Sequence, residues 1–135
     1  MPIYSQNDTR PVEIESPRIL LAEDDFLTRM LVSDCLREDG FVVLEASNGD
    51  EAVDILQSGL SVDLIFTDVH MPGRTDGLEL LSFAQSRWPQ LPVLLTSGHL
   101  DPAAAYEGGA AAFLPKPCNP DAVVAAVRMA LEPAE

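Results

Sequence analysis

A small set of residues in this chain has types and spacings that could do chemistry. Glu23, Asp24 and Asp25 follow the apolar run 19–22 (ILLA) directly, with no Lys or Arg in the next three positions. Adjacent acids repel one another, and the edge of a core raises that cost by desolvation. Asp68 follows Thr67 just after the run 62–66 (VDLIF), Thr96 and Ser97 close the run starting at 93, and Lys116 stands between Pro115 and Pro117. Carboxylates gathered in one volume need a cation, and hard oxygen ligands select Mg²⁺, or Mn²⁺ in its place. An acid, a divalent ion, an ammonium and a hydroxyl are the parts expected around a transferring phosphoryl group.

Those residues can cooperate only if the fold brings them to one edge. Apolar runs of 4–5 residues recur at 19–22, 41–44, 62–66, 93–96 and 111–114. Runs of this length suit strands buried on both faces, as in a parallel sheet. Helical patterns alternate with them. Residues 26–38 place Leu27, Met30, Leu31 and Cys35 on one face, with Asp25 as the N-cap. Segment 50–58 aligns Ala52, Ile55 and Leu56, and segment 77–88 aligns Leu81, Ala84 and Trp88. Segment 101–107 has room for a short helix before Gly108-Gly109, and Asn119-Pro120 opens a last helix with Val123, Val124, Val127 and Leu131 as its stripe.

The order (βα)₅ predicts an α/β doubly wound sandwich around a five-stranded parallel sheet, flavodoxin-like, in the order 2-1-3-4-5. In such sheets ligands bind beyond the carboxyl ends of the strands. The ends of strands one and three then lie about 5 Å apart, which brings Glu23, Asp24 and Asp68 together.

The rest of the chain sets bounds. With 135 residues, 47% hydrophobic and 22% charged, it has the composition of one globular domain. Residues 1–16 are polar and aperiodic and read as a flexible leader to a domain at 17–133, with no second domain behind it. A net charge of −14 argues against direct contact with nucleic acid or anionic membranes. Neither a secretory signal nor a membrane-spanning run is present, and two cysteines without a CxxC spacing make a reducing cytoplasm the simplest compartment.

Four stretches, "ILLAEDD", "DLIFTDVHMPGRTDGLELL", "PVLLTSG" and "FLPKP", fall in this order on successive strand ends. With them the chain resembles the receiver domain of two-component response regulators. The resemblance implies that Asp68 is the phosphoacceptor, that Asp24 binds Mg²⁺ directly, and that Glu23 reaches the ion through water. It also implies a metal contact from the backbone carbonyl of His70; a His beside a metal suggests side-chain ligation too, but the His70 side chain is read as facing solvent at the pocket mouth. Lys116 would contact the acyl phosphate, before a peptide bond to Pro117 that is commonly cis in relatives. Thr96 would be the switch hydroxyl and Phe113 the switch aromatic. Met71-Pro72 and Asp76-Gly77 would shape the loop after strand three, and Asp76 would cap helix three.

The loop containing "GRTDG" is one residue longer than the commonest form, the stretch from Thr96 to Lys116 is slightly short, and Cys118 stands where many relatives carry Phe. The function implied is that of a signalling phosphoacceptor rather than an enzyme with a separate substrate. Asp68 would take a phosphoryl group from a phosphohistidine on a sensor histidine kinase or histidine phosphotransfer protein. Autodephosphorylation would reset a switch read by a downstream protein, with homodimerisation left open. Three rivals stand beside it. A Mg²⁺-dependent phosphatase with an Asp nucleophile would place an acid two residues past Asp68, where His70 stands. A phosphorylation-independent pseudo-receiver would lack one of the acids or the Lys. The chain could also be a receiver cut from a hybrid kinase.

Overall fold

A computed structural model of the protein describes residues 3–4, 11–12 and 16–132. Most of the expected leader lies outside these residues. Within it, β1 (Ile3–Tyr4) and β2 (Pro11–Val12) pair antiparallel through Ile3↔Val12 and Tyr4↔Pro11. Two-residue strands are too short to show any alternation in a sequence, so this ladder was not foreseen.

From residue 18 the chain alternates strand and helix: β3 (Arg18–Ala22), α1 (Phe26–Glu38), β4 (Val42–Ala46), α2 (Gly49–Gln57), β5 (Leu64–Asp68), α3 (Gly77–Arg87), β6 (Val93–Ser97), α4 (Pro102–Glu107), β7 (Ala112–Pro115) and α5 (Pro120–Leu131). The sheet order is β4-β3-β5-β6-β7, all parallel, which is 2-1-3-4-5 among these five strands. Every residue of β5 and β6 is buried. One core cluster includes Leu20, Ile65, Leu80, Leu81 and Leu95, and the other includes Leu21, Leu36, Phe66, Leu94 and Val127. Residues in the two clusters alternate along each strand, because successive side chains point to opposite faces.

Caps fix where the helices begin. Asp25 accepts the Thr28 amide, Asn48 the Glu51 amide and Asn119 the Ala122 amide, while Asp76 and Glu79 form a capping box. The buried face of α1 differs from the expected one. Val32, Ser33 and Leu36 are buried, whereas Phe26 and Leu27 are 63% and 61% exposed and Met30 and Leu31 also face outward. Apolar residues occupy both sides of this helix, so periodicity alone could not choose the side. In α3 the expected Leu81 and Ala84 are joined in the core by Leu80, and Trp88 lies exposed at the helix end. No helix among the described residues is long and apolar enough to cross a membrane.

Candidate functional site

The parallel register delivers the site. Ala22 pairs with Thr67, and Asp68 pairs with Thr96, so β3, β5 and β6 end at one level with their polar tips adjacent. Glu23, Asp24 and Asp68 each offer an oxygen within 4.8 Å of the others, the one such cluster of metal-ligating side chains among the described residues. Glu23 and Asp68 are 4% and 5% exposed, whereas Asp24 faces solvent.

Lys116 answers part of this charge. Its Nζ lies 2.6 Å from Asp68 Oδ2 and 3.5 Å from Glu23 Oε1. Partial burial works against the ammonium, but the hydrogen bond and charge of Asp68, with Glu23 behind them, outweigh it and hold its pKa above the ordinary value. One ammonium does not balance three carboxylates. Burial pushes the Glu23 carboxyl from 4.5 up to about 7, the Asp68 charge adds to it, and the Asp25 amide and Lys116 pull the other way. A buried carboxyl that resists ionising beside two further acids is the donor set a hard divalent cation fits.

The backbone around the acids is tightly held. Asp68 Oδ1 accepts the His70 amide at 3.2 Å, and Thr67 Oγ1 donates to the Asp68 carbonyl at 2.8 Å. The structure therefore places the His70 backbone beside Asp68 and leaves its imidazole exposed, outside the acidic cluster. Gly77 is required by space. A Cβ there would overlap the Asp68 carbonyl oxygen and lie 2.6 Å from Val69 Cα. The positive φ in this loop is at Gly73, +104°.

Two positioning residues went unseen in the sequence. Arg29 Nη1 donates to the Glu23 carbonyl at 2.7 Å and so ties the first turns of α1 to the acid loop. Asp50 on α2 accepts the Thr75 hydroxyl at 2.8 Å and the Arg74 amide at 3.2 Å, pinning the longer loop after β5. The Arg29 contact runs to a backbone carbonyl six residues back, which no side-chain pattern marks, and the Asp50 contacts join residues 24 and 25 positions apart that only the fold brings together. The peptide bond between Lys116 and Pro117 is cis.

The two hydroxyls at the end of β6 have different duties. Thr96 Oγ1 donates to the Leu114 carbonyl at 2.8 Å, so its proton is already spent. Ser97 Oγ accepts the amides of His99 and Leu100, both at 3.1 Å, and among the described residues its own proton has no acceptor. The pleat sends Ser97 to the face of Leu95, the β7 partner of which is Phe113. Phe113 is half-buried, packs on that core cluster, and donates its amide to the Tyr106 hydroxyl at 3.3 Å. Thr96 belongs to the opposite face. There it lines a cavity of about 390 Å³ together with Asp68, Lys116, Val32, Phe66 and Cys118.

A doubly wound parallel sheet with buried acids, a lysine and hydroxyls at its carboxyl edge defines a class of phosphoryl-responsive α/β domain. Residues 19–128 match the family model of the response regulator receiver domain, and the chain belongs to that family. It is 34% identical over 116 residues to "DNA-binding transcriptional regulator NtrC" of Escherichia coli, covering 84% of this chain and 24% of that protein. It is 37% identical over 117 residues to "Transcriptional regulatory protein PdtaR" of Mycobacterium tuberculosis, covering 84% and 56%. The chain thus spans between about a quarter and somewhat over half of these relatives. Among solved structures, the receiver domain of NtrX from Brucella abortus superposes with a TM-score of 0.78 at 32% identity, over 86% of this chain and 99% of that one. The chemotaxis protein CheY4 of Vibrio cholerae also gives 0.78, at 27% identity over 87% and 100%.

Proposed function

We propose that Asp68 accepts a phosphoryl group from a phosphohistidine on a sensor histidine kinase or histidine phosphotransfer protein. The observation that carries this reading is the 2.6 Å contact between Lys116 Nζ and Asp68 Oδ2 inside a cluster of three acids at the sheet edge. An Asp68 carboxylate oxygen attacks phosphorus, the phosphorus–nitrogen bond breaks, and the donor imidazole leaves. Lys116 follows the acceptor and neutralises phosphoryl oxygens, while the β5 backbone holds Asp68 in line. Glu23, Asp24 and Asp68 would hold Mg²⁺, with Mn²⁺ as a substitute and the His70 carbonyl as a further ligand. When bound, the ion supplies positive charge to the transferring group. Hydrolysis of the acyl phosphate resets Asp68.

The exposed apolar side chains of α1, Phe26, Leu27, Met30 and Leu31, support docking of a protein donor beside the site rather than reaction with small molecules alone. A phosphoryl group on Asp68 would recruit a hydroxyl from β6 and shift Phe113 between two packings, altering the surface offered to a downstream protein. Thr96 is the hydroxyl expected from sequence. The unspent proton of Ser97 and the face it shares with Phe113 favour Ser97 instead.

The test is intact-protein mass spectrometry with Mg²⁺ and a small acyl phosphate. The wild-type chain should gain one phosphoryl group and Asp68→Asn none. An unchanged wild-type mass, with fluoroberyllate also failing to bind, would sink the reading.

A further inference from the structure

The chain has two histidines, and the fold brings them together. His70 lies on the connection after β5 and His99 on the connection after β6, and both side chains are exposed. Their ring centroids are 5.8 Å apart, with the planes inclined at 61°. Both backbones are anchored, His70 through its amide to Asp68 Oδ1 at 3.2 Å and His99 through its amide to Ser97 Oγ at 3.1 Å. Among the described residues neither imidazole makes a hydrogen bond, so both rings can turn without losing a partner.

We propose that His70 and His99 form a two-nitrogen site for a borderline divalent transition ion such as Ni²⁺, Cu²⁺ or Zn²⁺, separate from the carboxylate cluster. Imidazole nitrogen prefers these ions, whereas carboxylate oxygens suit Mg²⁺ and Mn²⁺. With metal–nitrogen bonds of about 2 Å and angles from about 90° (Ni²⁺, Cu²⁺) to tetrahedral (Zn²⁺), two imidazoles on one ion have centroids about 4.5–5 Å apart. The observed pair is about 1 Å wider than that spacing, a difference that side-chain rotation closes while the anchored backbones stay in place. Water completes the coordination shell on the open side. The surrounding charge also favours a dication, since the chain carries −14 overall and three acids lie at the same sheet edge. An ion held here stands at the rim of the acid pocket, two residues from Asp68. Its binding does not depend on whether Asp68 accepts phosphoryl groups.

The experiment uses the full chain without a histidine tag, with Mg²⁺ in large excess to occupy the carboxylates, and follows both histidine ring signals by proton NMR as Ni²⁺ is added. Both signals should broaden together at substoichiometric Ni²⁺. In His99→Asn the His70 signal, and in His70→Asn the His99 signal, should need about tenfold more Ni²⁺ or beyond, because the second nitrogen no longer acts intramolecularly. Asp68→Asn should leave the wild-type response in place. Single-histidine variants that respond like wild type would overturn the proposal by showing independent rings. Loss of broadening in Asp68→Asn would overturn it by placing the ion among the carboxylates.

Discussion

The crowded acids predict an unusual dependence of stability on pH in metal-free solution. Glu23 has its pKa raised from 4.5 to about 7 by burial, with the charge of Asp68 adding. Between those values the folded chain holds a proton that the unfolded chain has released. Unfolding free energy therefore falls as pH rises through that window and levels off above it. At about 1.4 kcal/mol per pH unit, the gap corresponds to a loss of roughly 3 kcal/mol for this one buried group. Other shifted carboxyls lie outside the window. Asp25, held down mainly by its hydrogen bond to Thr28, Asp50, held down by Thr75, and Glu51, held down by Ser47, add stability above the ordinary carboxyl range and lose it below. Lys116, raised by Asp68 and Glu23 against the opposing effect of burial, loses its contribution only at alkaline pH.

The assay is urea unfolding with EDTA at pH 5 and pH 8. With an m-value of about 1.5 kcal/mol/M, the midpoint should be lower at pH 8 by roughly 2 M. Added Mg²⁺ should raise the pH 8 midpoint, because cation binding favours the ionised acids of the folded state. Asp68→Asn, which removes the neighbouring charge but not the burial, should reduce the slope without abolishing it. Stability that is flat or rising between pH 5 and 8 in EDTA would refute the account of Glu23.

Two further substitutions probe the site's construction. Gly77→Ala drives a Cβ into the Asp68 carbonyl and Val69. It should cost about 1–3 kcal/mol in unfolding measurements and weaken Mg²⁺ binding as the loop after Asp68 shifts. Full stability with unchanged Mg²⁺ affinity would mean the loop is not pinned as drawn. Ser97→Ala should blunt the fluoroberyllate-induced change in Phe113 chemical shifts more than Thr96→Ala does, while Thr96→Ala removes the hydrogen bond to Leu114 and costs about 1 kcal/mol of stability. The reverse order in the Phe113 response would restore Thr96 to the switch.

The strands and the acid cluster were legible because their signals are local. A buried parallel strand is a short apolar run, and the residue after it lies at the sheet edge, so Glu23, Asp24 and Asp68 could be placed by counting. Arg29 and Asp50 could not: Arg29 reaches back only to the Glu23 carbonyl, a backbone group that leaves no side-chain pattern, and Asp50 meets a loop that approaches it only through a crossover. The facing of α1 was illegible for another reason, because Leu27 and Leu31 on one side and Val32 and Leu36 on the other satisfy the same helical period. The tandem Thr96-Ser97 shows the limit most sharply. Spacing from Asp68 and Lys116 cannot choose between adjacent hydroxyls when the loops before and after them differ in length from the common pattern. A step of one residue in a strand is a change of face, however, and the two side chains end in different cores. Thr96 is bound into the α1–α5 side by Leu114, and Ser97 is turned toward the side where Phe113 packs. What favours Ser97 in the proposed switch is that the Thr96 proton is committed to Leu114 while the Ser97 proton is free among the described residues, which is a property of the assembled sheet edge.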